Sequence, residues 1–335
     1  MDSQQPAAVE GSTMAGAPSI EYRRLLKSLK DNKSSAKQHI ELARFLMRIG
    51  HDLRALSSLR VARALQPKRR ETYLLLGLAY QRLGEAEGAM NSYRQLLHFD
   101  ARSIAANYQL GQILLEKRDY IGAGKHLKRA VELNPKSCKA LKLLALVAEA
   151  TGDSNRALSH LEALREKQGD NAEVLTSMGR IHHKEGRVDR GLLFLKKALE
   201  LDPKLRAARK ELVQLLLEEE AYQEALDAAK KGLEDQSDHL ELRLLEGVSY
   251  ESLNDLDKAM SSFVLATRNC PDDYRPHLHL GRIYGAQGEY SLAEEELLIA
   301  LDLTQDKREV FQSLSKLYMQ NSEQEKAEKT LIEMT

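Results

Sequence analysis

The sequence predicts an all-α solenoid, and three periodic features predict it. A small residue returns every 34 positions, at Ala55, Ala89, Ala123, Ala157, Gly191, Ala225, Ala259, Ala293 and Ala327, with no slip in spacing. Two apolar stripes of helical spacing recur inside each period. Proline marks the end of alternate periods at one phase, as Pro67, Pro135, Pro203 and Pro271. A chain of 335 residues would ordinarily suggest two or three globular domains. A fixed period overrides that expectation, because stacked units share one core that grows with their number.

Residues 1–18 are small and polar, with Pro6, Gly11, Gly16 and Pro18, and read as a disordered tail. Residues 19–35 then carry one helical stripe, Tyr22, Leu25, Leu26 and Leu29, among Arg23, Arg24, Lys27 and Lys30. Two readings fit it: a helix capping the open end of the array, or a basic amphipathic helix that touches anionic lipid or a partner. Its shortness and its lack of Trp and Phe weigh against lipid.

Nine units follow, starting at 36, 70, 104, 138, 172, 206, 240, 274 and 308. In the second, Tyr73, Leu76, Gly77 and Tyr80 mark a first helix, Gly84 breaks it, and Ala89, Tyr93 and Leu96 mark a second. Small residues are expected where two antiparallel helices approach closely. Glycine inside a helix costs about 1 kcal/mol against alanine, so Gly77, Gly111, Gly179, Gly247 and Gly281 imply packing that offsets the cost. Proline cannot continue a helix and sits naturally between units. Ala101, Gly169, Ser237 and Gln305 hold its place in the other units, a hint of a 68-residue duplication.

Composition narrows the function. Fifty basic residues balance fifty acidic ones, which argues against a nucleic-acid footprint or a polybasic membrane protein. Cys138 and Cys270 make neither a disulfide framework nor a metal motif. No secretory leader and no run of 18 apolar residues occurs, so no membrane span is expected, and a cytoplasmic address follows by default. Lys125 in GAGKH lacks the glycine spacing and the Ser or Thr of a phosphate loop. His182 and His183 are adjacent, and His277 and His279 are two apart, so neither pair converges on a helix surface. No cofactor, metal or catalytic role is expected.

Taken together, these residues resemble the tetratricopeptide repeat (TPR) family: 34 residues, helix–turn–helix, a small–aromatic–small pattern and a terminal proline. The seventh unit shows it through Gly247, Tyr250, Ala259, Phe263, Ala266 and Pro271, and the eighth through Leu280, Gly281, Tyr284, Ala293, Leu297 and Ala300. Departures are the absence of tryptophan, and Ala145 and Val213 in place of the first-helix glycine. The resemblance implies a non-catalytic adaptor, a right-handed superhelix of about nine units whose concave face is lined by the first helices.

Carried over by position, the resemblance places the groove floor at the fifth and ninth residues of each first helix. In order these are Ile40 and Arg44, Leu74 and Leu78, Tyr108 and Gln112, Lys142 and Leu146, and Thr176 and Arg180. Lys210 and Gln214, Leu244 and Val248, Leu278 and Arg282, and Gln312 and Lys316 complete them. Six of the eighteen are basic and none is acidic, which would focus field on an acidic segment or a terminal carboxylate; ordinary drift gives the same count equally well. His183 and Lys184 add to the basic character, while Glu149 and Glu251 oppose it. Leu74, Leu78, Leu244, Val248 and Leu278 are either anchors for an apolar peptide side chain or partly buried between units. No fifth/ninth pair is Lys/Asn, so the two-carboxylate clamp that some family members use for chaperone tails is not expected.

The partner expected is therefore a protein or peptide, with an acidic segment as one candidate chemistry. The last unit leaves Leu331 and Met334 without a following helix, which suggests a partner or self-association surface, or a cut chain. A peptide-sensing regulator and a non-catalytic helper subunit of an enzyme or of a secretion or assembly complex remain as alternatives.

Overall fold

Each unit folds as two helices because each carries two apolar stripes separated by a residue that can turn the chain. The computed structural model describes residues 20–31, 35–235 and 239–334. The expected tail at 1–18 lies outside them. A leading helix, α1 (Ile20–Asp31), precedes α2 (Ala36–Arg48) and α3 (Asp52–Leu65), then α4 (Arg70–Arg82) and α5 (Ala86–Phe99). Next come α6 (Ile104–Glu116) and α7 (Tyr120–Leu133), α8 (Cys138–Ala150) and α9 (Ser154–Gln168), and α10 (Ala172–Lys184) and α11 (Val188–Leu201). The series ends with α12 (Arg206–Glu218) and α13 (Tyr222–Asp235), α14 (Leu240–Ser252) and α15 (Leu256–Asn269), α16 (Tyr274–Gln287) and α17 (Tyr290–Leu303), and α18 (Arg308–Gln320) and α19 (Gln324–Met334). No strand occurs among the described residues.

The chain divides into two compact units, Met1–His160 and Leu161–Thr335. Within the first, α2 packs on α3, α4 on α5 and α6 on α7, and each pair packs on the next. Within the second, α10 to α19 stack in the same way. First helices also touch one another directly, α2 with α4 and α6 with α8 in the first unit, and α10, α12 and α14, then α16 and α18, in the second. Each unit is thus an α-solenoid segment with one wall made of first helices.

Small residues hold the pairs together at the positions the period marks. Ala55, Ala89, Ala123, Ala225, Ala259 and Ala293 are completely buried. The glycine of the facing helix lies against two things. A Cβ on Gly281 would meet the Ala293 carbonyl at 3.2 Å and Leu297 Cγ at 2.6 Å, and one on Gly247 would meet the Phe263 ring at 2.5 Å. The bulky residue sixteen positions after the glycine therefore fills the space that its missing side chain leaves. Where Val213 replaces that glycine, the residue sixteen positions on is Ala229, and both are fully buried in one cluster.

All nine turns inside the pairs have one geometry. The fifteenth residue of each period is left-handed, from φ +58° at Glu220 to +84° at Gly288, as are Gly50, Gly84, Arg118, Gly152, Gly186, Asn254 and Ser322. The next amide donates to the carbonyl five residues back, as in Glu85 to Tyr80 (2.9 Å) and Asp255 to Tyr250 (2.9 Å). This closure satisfies helix-end carbonyls that would otherwise lack donors.

The apolar side of α1 is occupied. Tyr22, Leu25, Leu26 and Leu29 pack on the cluster of Ile40, Ala43, Leu59 and Leu76, and Tyr22 stacks on Phe45 with ring centroids 5.7 Å apart. The apolar side that either reading of this helix relies on is thus in contact with the first pair.

Candidate functional site

The first-helix wall carries the residues expected to meet a partner, and burial divides them. Arg44, Lys142, Leu146, Arg282, Gln312 and Lys316 are exposed, and Leu74, Leu78, Tyr108, Gln112, Arg180, Lys210, Gln214 and Val248 are half-buried. Leu244 and Leu278 are not on the surface at all: they are 6% and 2% exposed and belong to the core. The expectation of Leu244 as a groove contact is corrected accordingly, as are Ile40 and Thr176, which are also buried. Ile40, Leu244 and Leu278 each join a cluster that includes residues of the next pair. The Thr176 hydroxyl donates back to the Ala172 carbonyl (2.7 Å).

In the first unit the wall is largely apolar. Leu78 packs against the first-pair core, and Leu74 and Tyr108 against the next. Gln112 donates to Glu116 (3.2 Å), and Arg44 pairs with Glu71 at 2.5 Å.

In the second unit the wall is charged, but Arg180, Lys210 and Arg282 are matched. Lys210 and Arg275 both reach Glu241, at 3.0 and 2.8 Å. Burial pushes the Glu241 carboxyl up, but hydrogen bonds from Arg275 and Lys210 outweigh it and hold the group below its usual range. Arg180 lies 3.9 Å from Glu211, whose carboxyl burial raises against the pull of that guanidinium. His183 bonds Glu218 (2.8 Å), His279 bonds Glu251 (3.2 Å), and Arg282 bonds Glu309 and Ser313 (both 3.0 Å). A floor that looks uniformly basic at two positions per helix is therefore much closer to neutral. The counter-charges of the fifth- and ninth-position cations, Glu71, Glu211, Glu241 and Glu309, stand at the second or sixth position of the following first helix.

One concavity breaks this wall in the second unit, a cleft of about 480 Å³ between α14, α16 and α18. It brings together Arg282, Gln312 and Lys316 from the expected set, with Glu251, Ser313 and Gln320. Gly285 and Ala286 form part of its lining. Gly285 holds the twelfth position of its first helix, where the other units have Met47, Gln81, Leu115, Glu149, His183, Leu217, Glu251 and Met319. A Cβ there would meet Leu317 Cδ1 at 2.9 Å, so the absent side chain lets α18 approach, and Gly285 adds only backbone to the recess lining. Lys316 is exposed and has no ionic partner among the described residues.

No cluster of three His, Cys, Asp or Glu side chains is placed to hold a metal ion among the described residues, and no helix is long and apolar enough to cross a membrane. His182 is buried and stacks on Phe194 while His183 faces Glu218, so the two diverge as their adjacency requires. Cys138 and Cys270 are free thiols.

Comparison with solved structures places the fold among known repeat proteins. A tetratricopeptide repeat protein from Parabacteroides merdae superposes with a TM-score of 0.61 at 18% identity, over 75% of this chain and 98% of that one. YrrB, described as a TPR protein with an unusual peptide-binding site, gives 0.52 at 24% identity, over 56% and 96%. The APC/C hetero-tetramer Cut9–Hcn1 gives 0.55 at 15% identity, over 89% of this chain and 59% of that one. No curated protein sequence matches the chain. Family profiles described as tetratricopeptide repeat match residues 74–137 and 210–274, 114–181, and 172–205. With more than half of the sequence matched and every helix pair in register, the chain belongs to the tetratricopeptide repeat family.

Proposed function

We propose that this protein is a non-catalytic scaffold whose first-helix wall binds an extended segment of a partner protein, with an acidic side chain or terminal carboxylate of that segment held in the cleft between α14, α16 and α18. The observation that carries the reading is the recess lined by Gly285 beside the unpaired Lys316 ammonium. A concave site with few convergent polar groups is the usual form of a ligand site, and an exposed cation at its edge favours an anion. The Gln312 and Gln320 amides supply further donors around the same recess. Half-buried Leu74, Leu78 and Tyr108 on the first unit's wall suit apolar side chains of a partner.

The test is affinity capture from native cell extract with the full chain and two variants. Lys316→Glu reverses the free charge on an exposed helix position, and Gly285→Met places in the cleft the residue found at that position, as Met47, in the first helix pair. Partners recovered by the wild type are expected to be lost or reduced at least about tenfold by Lys316→Glu, a difference of about 1.4 kcal/mol. Recovery of the same partners in equal amount by both variants would exclude the cleft.

A further inference from the structure

The outer surfaces of the second helices are not equivalent, and two of them are complementary. Among the described second helices, only α3 and α17 leave three large apolar side chains exposed. On α3 these are Leu53 (67%), Val61 (42%) and Leu65 (38%). Arg54 and Arg63 stand exposed beside them with no ionic partner among the described residues, and the first-turn acid, Asp52, is taken by Arg82 (3.3 Å). On α17 the apolar residues are Leu292 (45%), Leu298 (45%) and Ile299 (37%). The charges beside them are acidic: Glu295 and Asp302 are exposed and equally unpaired. The helix as a whole, YSLAEEELLIALDL, carries four acids and no base, whereas α3, DLRALSSLRVARAL, carries three arginines and one acid.

Apolar side chains exposed in groups mark interaction surfaces, and opposite charge around them selects the partner and orientation. Both halves of such a contact are present here on one polypeptide. We propose that the protein associates with further copies of itself head to tail, the apolar, arginine-flanked face of α3 on one copy docking against the apolar, carboxylate-flanked face of α17 on the next. The contact joins two different patches, so it is heterologous and extends into a chain unless the rotation between copies closes it into a ring. It uses second helices and leaves the first-helix wall free, so it stands or falls separately from the peptide-binding reading.

Sedimentation velocity of the full chain tests it. Wild type is expected to show concentration-dependent growth beyond a dimer by about 0.1 mM, weakened by added salt. Glu295→Lys with Asp302→Lys makes both faces basic, and Arg54→Glu with Arg63→Glu makes both acidic. Each double variant alone is expected to associate at least about tenfold more weakly than wild type. An equimolar mixture of the two is expected to regain assembly, because each face again meets an opposite charge. That recovery also shows that neither variant has simply unfolded. A wild type that stays monomeric throughout, variants that associate as well as wild type, or a mixture that stays monomeric with native helical circular dichroism would each overturn the proposal.

Discussion

The glycine at the eighth position of a first helix and the bulky residue sixteen positions later act as one fitted pair. Gly247 lies under Phe263, and Val213 lies over Ala229 with the sizes exchanged. Gly247→Val is expected to destabilise by about 1–3 kcal/mol through overpacking, and Phe263→Ala by about 3–5 kcal/mol through the cavity it leaves. Combining the two should cost less than their sum, because it recreates the Val213–Ala229 arrangement. Urea denaturation of the two singles and the double measures that coupling, and strict additivity would refute the fitted pair. His182 makes a second case. It occupies a position held elsewhere by Leu46, Leu114 and Leu216, and its buried Nδ1 has no hydrogen-bond partner. Burial lowers the pKa of His182, and likewise of His126 and His160. Since the unfolded chain then binds protons more readily, stability is fully present above the ordinary imidazole pKa of about 6.5 and falls as pH drops below it. His182→Leu is expected to gain about 1 kcal/mol and to flatten that acid slope, which thermal melts at a series of pH values will show. Identical slopes for variant and wild type would remove His182 as the cause.

Element by element, the helices were legible because their starts and stops are written in local chemistry. The first helices begin at Ala36, Arg70, Ile104 and so on to Arg308, where the apolar stripes begin, and stop one or two residues before the left-handed position. That position is glycine in five turns and Arg118, Glu220, Asn254 and Ser322 in the other four, so composition alone did not announce it. A left-handed backbone costs a residue with a Cβ roughly 1–2 kcal/mol, and more when the side chain is β-branched. Gly84→Val is accordingly expected to lower stability by about 2 kcal/mol while Gly84→Asn costs well under 1, as comparison of their melting curves would reveal. The wall was less legible than the helices. Counting only fifth and ninth positions found the cations and missed Glu71, Glu211, Glu241 and Glu309, which sit 27 or 31 residues after their partners. Gly285 did carry a signal, as the only glycine at its position in nine units, but its effect depends on where α18 comes to rest. Burial of Leu244 and Leu278 depends likewise on the neighbouring pair rather than on their own helix.

At the scale of the whole molecule, pairs within each compact unit are stabilised by their neighbours in sequence, so protection should vary along each unit instead of breaking down at one step. The leading helix α1 is the neighbour that shields α2 and α3. Leu25→Glu with Leu29→Glu should remove about 2 kcal/mol of protection or more from the amides of α2 and α3 while leaving those of α18 unchanged. Hydrogen exchange resolved by segment is the measurement, and an equal loss at both ends would mean that the molecule opens as a single block. The repeated turn has a further consequence for how such a molecule can change in length. Ser103 caps α6 and Ser137 caps α8 through the same bond to the amide three residues on. Excising residues 104–137 would set Ser103 directly before Cys138, and the shortened chain would meet the same serine cap and the same helix start it had before. Whole pairs are therefore interchangeable modules, and evolution or design can add or delete reach in 34-residue steps without inventing a new joint.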